Sequence, residues 1–229
     1  MKNLTDQQKG SLMAFVAVMF ITPDSLFIRM SSVDTWGLVF YRGVIPFLTV
    51  LLGMLLIYKL SFFKILFNSG YPGIIYIGTF RVTNITFVVS IQNSNVATPL
   101  VMIATAPMLS AILGAIFLKE PPHKQTCISI IITFLAIIYI FFDSLKIGNF
   151  YGDIVGFITA IGLAVGAVTI RSAKTKNLVP AAVVGKLFVA TFALFFIDSV
   201  TLIDEDLLIV PLMCILCVAI PVVLVTIAP

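Results

Sequence analysis

"VATPLVMIATAPMLSAILGAIFL", Val96–Leu118, is 23 consecutive residues without a charge. A hydrocarbon core about 30 Å thick is crossed by about 20 mostly apolar residues in a helix. The run lacks period-two alternation, so it reads as a helix and not as a barrel strand. Working outward, the same signal recurs. Seven further runs stand at roughly Gly10–Ile28, Trp36–Tyr58, Tyr71–Ile91, Gln125–Phe142, Tyr151–Ile170, Pro180–Ile197 and Leu208–Ala228. Hydrophobic residues make up 60% of the 229 residues and charged ones 10%. A soluble domain carries about 25% charge, so the composition points to an all-α integral membrane protein with about eight transmembrane helices. Nothing between the runs is long enough to fold as a soluble domain.

The net charge of +4 does not point to nucleic acid, because the basic residues are spread along the chain and sorted by side. With the N-terminus in the cytoplasm, the inner segments carry Lys2, Lys9, Lys59, Lys64, Lys119, Lys124, Arg171, Lys174 and Lys176. The outer loops carry only Arg29 and Lys146, and collect Asp34, Asp143, Asp153, Asp198, Asp204, Glu205 and Asp206 instead. The positive-inside rule therefore predicts a multi-pass protein of the cell membrane with a cytoplasmic N-terminus. The first run is too long for a signal-peptide core and reads as a retained anchor. The acidic link Asp198–Leu207 is expected at the surface.

Sliding the chain by 142 residues places Gly10 on Gly152, Phe15 on Phe157, Ile28 on Ile170 and Arg29 on Arg171. A two-residue slip brings Arg42 near Lys186. A repeat of five helices, being odd, inverts its second copy in the membrane, as in secondary transporters. The expected organisation is a first repeat over residues 1–147 and a partial second repeat over 148–229. That makes eight helices of an expected ten in an inverted five-plus-five arrangement, with the chain truncated at its C-terminus.

Charges inside the runs mark the candidate site. Pro23 interrupts the first helix and Asp24 follows it. Proline removes a backbone hydrogen bond, and irregular backbone in a membrane is tolerated only against protein or a water-filled cavity. Asp24 is a candidate ion or proton site; the bland reading is a structural kink whose aspartate reaches water or pairs with Arg29. Arg42 lies at similar depth on the next, antiparallel helix, so an Asp24–Arg42 ion pair is geometrically plausible. Arg81 sits near the middle of the third run with Asn84 on the same face. Lys186 lies about two turns into the seventh. Three cations and one carboxylate leave positive charge for an anionic substrate group, unless the long side chains snorkel to the headgroups.

Ala106, Ser110 and Gly114, and the pairs Gly152/Gly156 and Gly162/Gly166, are small residues four apart and read as helix-packing seams. Cys214 and Cys217 have C-x-x-C spacing but no polar setting and no second ligand pair, so they read as packing residues. His123 is the single histidine and lies in a Pro-Pro loop. No zinc-protease, serine-hydrolase or phosphate-loop motif occurs, and no cofactor or metal is expected.

"SNVATPLVMIATAPMLSAILGAIFLKEPP" (Ser94–Pro122) resembles the signature of the drug/metabolite transporter superfamily in its EamA-like branch. The likeness lies in small residues, the mid-helix Pro107 and the closing Lys119-Glu120. "PDSLFIR" resembles an Asp-x-x-x-x-Arg/Lys variant of the first helix. "FYRG" is similar to the basic residue of the second. "GDIVGFITAIGLAVGAVTIR" resembles the start of a second repeat. The resemblance implies ten helices, two of them lacking here together with the second proline–glutamate signature. It implies a secondary transporter, an exporter of amino acids or related metabolites working by alternating access, with protons as an open coupling option. The implied partners are the bilayer, a small polar or anionic metabolite and optionally a second copy of the chain. The competing readings are a non-transporting membrane assembly subunit and, far behind, an intramembrane enzyme.

Overall fold

In this computed structural model the described residues are 6–58, 61–95, 97–120, 122, 124–147, 150–173, 176–197, 202 and 206–227. Lys2, Lys59, His123, Lys174, Asp198, Asp204 and Glu205 lie outside them, as do the side chains of Asp143 and Lys146. The described residues form helices and no strands. Among the described residues six helices are long and apolar enough to cross a membrane: Gln8–Met30, Thr35–Leu56, Gly70–Gln92, Thr98–Leu118, Tyr151–Ala173 and Asp206–Thr226. The other two expected runs also hold apolar helices, one of which includes the stretch Thr126–Ala136 within Lys124–Ile147, the other being the shorter Val179–Ala193.

The helices in chain order are α1 (Asp6–Ile21), α2 (Asp24–Met30), α3 (Thr35–Tyr58), α4 (Ser61–Asn68), α5 (Gly70–Gln92), α6 (Ala97–Ile103), α7 (Ala106–Leu113), α8 (Lys124–Ile147), α9 (Phe150–Ala173), α10 (Val179–Ala193), α11 (Asp206–Met213) and α12 (Ile220–Ile227). Several spans are made of two pieces. The first breaks at Thr22-Pro23 into α1 and α2, where proline cannot continue the hydrogen-bond ladder. The fourth run gives the span its sequence suggested, Thr98–Leu118, but not as an unbroken helix. It breaks at Ala104-Thr105, and α7 restarts with Pro107 in its first turn, where a missing N–H costs nothing. A π-helical segment, Gly114–Leu118, follows and ends at Lys119 in the left-handed conformation (φ 57°). A second π-helical segment, Cys214–Ala219, joins α11 to α12.

The chain divides into two compact units. One is Met1–Ile77 with Thr175–Pro229; the other is Gly78–Lys174. In the first, α3 against α10 is the most extensive packing, and α1 lies on α12. Gly43 is what lets α3 and α10 approach so closely: a Cβ there would stand 2.6 Å from the Ala190 backbone nitrogen. A core of Val50, Met54, Phe62, Val179, Val183 and Ala219 fills the same unit away from that crossing.

In the second unit α9 packs on α6 and α7. The Gly152/Gly156 seam works as expected of small residues: Gly156 would bring a Cβ to 3.2 Å from Pro99 Cα, and Gly152 faces Ser94 and Asn93. Thr159 Oγ1 donates to Thr86 Oγ1 at 2.8 Å, a polar tie between α9 and α5. Many large apolar side chains point outward, among them Leu56 at 82% exposure and Phe195 at 84%. That pattern suits a lipid solvent, which is as apolar as the side chains themselves.

Candidate functional site

The break at Pro23 turns Asp24 into the first residue of α2 and buries it, at 3% exposure. Thr22 helps end α1: its backbone N–H and its hydroxyl both donate to the Val18 carbonyl, at 3.0 and 2.8 Å. Directly across, Arg42 projects from α3 at 4% exposure. Its guanidinium grips the carboxylate with both ends: Nη1 donates to Oδ1 at 2.5 Å and Nη2 to Oδ2 at 2.9 Å. This fork geometry is the strong form of an ion pair and fixes the relative rotation of the two helices. Asp24 therefore pairs with Arg42, while Arg29 is exposed.

Lys186, on α10, is 2% exposed and lies within electrostatic range of Arg42, Asp24 and Cys214. The close α3–α10 crossing explains the meeting, since Gly43 adjoins Arg42 and Ala190 is one turn beyond Lys186. Neither Arg42 nor Lys186 snorkels; both are enclosed by their own unit. Cys214 and Cys217 are also buried, on the π-helical segment that packs against α3. A π turn rotates the residues that follow it and is frequent at functional sites. The thiols are buried in the core, as their reading as packing residues expected, and C-x-x-C spacing held no signal that Arg42 and Asp24 lie within electrostatic range of them.

Arg81 and Asn84 belong to the other unit. Arg81 is exposed there, although its central position in the run suggested enclosure. Asn84 is half-buried, and its side-chain nitrogen donates to the Phe80 carbonyl at 2.7 Å. Pro107 is exposed at the start of α7. Glu120 accepts a hydrogen bond from Arg171 Nη2, with both side chains more than half exposed.

Two aspartates counted among the outer charges are buried. Asp206, in the link expected at the surface, is 1% exposed. Its Oδ1 accepts from the Ser31 hydroxyl at 2.8 Å and from the Ser32 N–H at 3.3 Å, and its Oδ2 from the Ser32 hydroxyl. It thereby latches the end of α2 to the start of α11. Asp153 is fully buried and accepts from the Ser94 hydroxyl at 3.1 Å. A short acidic side chain next to a helix start looks the same in sequence whether it faces water or a serine. Among the described residues no group of three or more His, Cys, Asp or Glu could hold a metal ion.

A bidentate ion pair with a buried lysine near it is costly in so apolar a chain, and such buried charges pair with one another or line a pathway. Residues 8–142 match the EamA-like transporter family. The chain belongs to that family. The match covers more than half of the 229 residues and includes Asp24, Arg42, Arg81, Asn84, Pro107 and Glu120. Searches of the curated proteins and of the solved structures found no match. EamA-like proteins fall in the drug/metabolite transporter superfamily, and this chain is a multi-pass, all-helical membrane protein of that kind. The family points to small-molecule transport and not to catalysis.

Proposed function

We propose that this EamA-like protein exports a small metabolite carrying a carboxylate, such as an amino acid, across the cell membrane, with its N-terminus in the cytoplasm. The observation that carries the reading is the enclosure of Asp24, Arg42 and Lys186, each at 4% exposure or less, in one unit of a transporter-family chain. Charge in a membrane is expensive, and it persists where it pairs or lines a pathway. Arg42 pairs with Asp24 in this cluster, and Lys186 is buried within electrostatic range of both. A substrate carboxylate competes with Asp24 for Arg42 and Lys186, and a proton on Asp24 weakens its hold on Arg42. Both exchanges occur within alternating access, the cluster opening to one side at a time.

The test is exchange of radiolabelled amino acids in proteoliposomes holding the full chain. Asp24→Asn is expected to lower the rate at least tenfold and to flatten its pH dependence, and Lys186→Met to raise the KM for anionic substrates. An unchanged rate and pH profile in Asp24→Asn sinks the role of the pair. Folded wild-type protein that exchanges none of a broad metabolite panel moves the non-transporting assembly subunit to first place.

A further inference from the structure

Helix α4 is eight residues long, about 12 Å at 1.5 Å per residue, and cannot cross a core about 30 Å thick. It connects α3 to α5, two helices that do have the length to cross. Its place is therefore the membrane surface, on the side where the chain begins. Its residues sort by face. Phe62, at 4% exposure, and Leu66, one turn on, pack against Val50 and Met54 of α3 and Val179 and Val183 of α10. Phe63 and Phe67, also one turn apart, form an adjoining outward stripe at 56% and 82% exposure, and Tyr71 at the start of α5 is 74% exposed. Lys64 and Asn68 are exposed beside that aromatic stripe. Lys176 arrives from the other end of the sequence, and its ammonium donates to the Ser69 carbonyl at 3.4 Å, at the C-terminal end of α4.

An apolar helix face of this size in water would be a liability. At a membrane surface it is an anchor, with the rings at the acyl boundary and the ammonium groups at the phosphates. The charge argues for the sign of the lipid. No Asp or Glu occurs between Asp34 and Glu120, so α4 and both flanking helices carry no acid. We propose that α4 is an interfacial docking surface for anionic lipid headgroups, held by Lys64 and Lys176 with Phe63 and Phe67 inserted beneath them. The inner face of the same helix packs on Val183, one turn before Lys186, and on Val50 and Met54, beyond Arg42 on α3. Lipid that seats α4 thus also seats the two helices that present the charged cluster. Only this last link rests on the transport reading; the docking surface does not.

The test reads lipid contact without transport. Trp36 is the single tryptophan, so Trp36→Phe with Phe67→Trp places one indole on the stripe. The full chain is reconstituted in phosphatidylcholine vesicles containing brominated phosphatidylcholine or brominated phosphatidylglycerol. Quenching by both is expected, with bromine high on the chain the more effective. The apparent affinity is expected to be higher for phosphatidylglycerol, each lysine supplying about fivefold. Lys64→Gln with Lys176→Gln removes the preference and keeps the quenching. Equal affinity for the two lipids in the starting protein overturns the anionic site. Quenching by aqueous iodide with none by bromolipid overturns the docking surface and leaves a water-facing stripe or a soluble protein partner. A protein that passes this test but transports nothing refutes the proposed function alone.

Discussion

Asp24 and Arg42 carry the clearest energetic asymmetry among the side chains. Both are almost fully enclosed, and removing one partner strands the other's charge. Breaking a buried pair this way costs about 3–5 kcal/mol. Asp24→Asn and Arg42→Gln are each expected to lower the melting temperature of the detergent-purified protein sharply. The double variant is expected to lose less than the sum of the two singles, because neither charge is then left alone. Glu120 and Arg171 form the contrasting pair. Both are more than half exposed, and such pairs contribute about 0–1 kcal/mol. Glu120→Gln is expected to leave the melting temperature nearly unchanged, so a loss of transport in that variant would have to come from another role of Glu120. The Asp24–Arg42 meeting was legible beforehand because two antiparallel neighbours joined by a short turn share depth residue by residue. Exposure of Arg81 was not, since position along a helix sets depth but not facing.

At the scale of helices, the first unit is held by a close crossing and a polar latch. The crossing is at Gly43, where any side chain meets the Ala190 backbone. Gly43→Ala is expected to destabilise by about 1–3 kcal/mol, as overpacking does. It should also disturb the cluster, since Arg42 and Lys186 flank the contact. Cysteine pairs across α3 and α10 would report the separation by a lower cross-linking yield. The latch is Asp206 with Ser31 and Ser32. Asp206→Ala removes the acceptor for two hydroxyls and an N–H. Hydrogen bonds to a charged group contribute about 1.5–3 kcal/mol each in mutational series, so a measurable loss of thermal stability is expected, larger than for Ser31→Ala. The sequence expected Asp206 at the surface because an acidic, proline-free link before an apolar run has that look. Only the meeting of α2 with α11, 175 residues apart, tells otherwise.

For the whole molecule, the charge distribution along the chain makes an orientation testable. Lys64 and Asp34 lie at opposite ends of α3 and its flanking turns, so their positions sample opposite membrane faces. In a variant lacking Cys127, Cys214 and Cys217, a cysteine replacing Asp34 is expected to react with an impermeant maleimide on intact cells. One replacing Lys64 is expected to react only after permeabilisation. The reverse pattern would invert the proposed topology and, with it, the direction of export. The family match runs from residue 8 to residue 142 and so contributes helices to both compact units, which are not consecutive halves of the chain. Contact between α3 and α10 is what brings the late segment into the first unit.

The sequence by itself determined that this is a helical membrane protein, where its apolar runs lie, and which charged residues lie inside them. Those are consequences of bilayer thickness and of the cost of charge in hydrocarbon, and both act on the chain locally. The stretch Ser94–Pro122 marked the family for the same reason, being a contiguous motif. Tertiary structure alone decided that Lys186 joins Asp24 and Arg42, that Cys214 and Cys217 stand beside them, that Asp206 and Asp153 are buried, and that Arg81 is exposed. Each of these depends on how far a helix is rotated and on which partner it meets. That is set by packing between residues more than a hundred positions apart in the clearest cases, through contacts such as Gly43 on Ala190, and no local pattern encodes it.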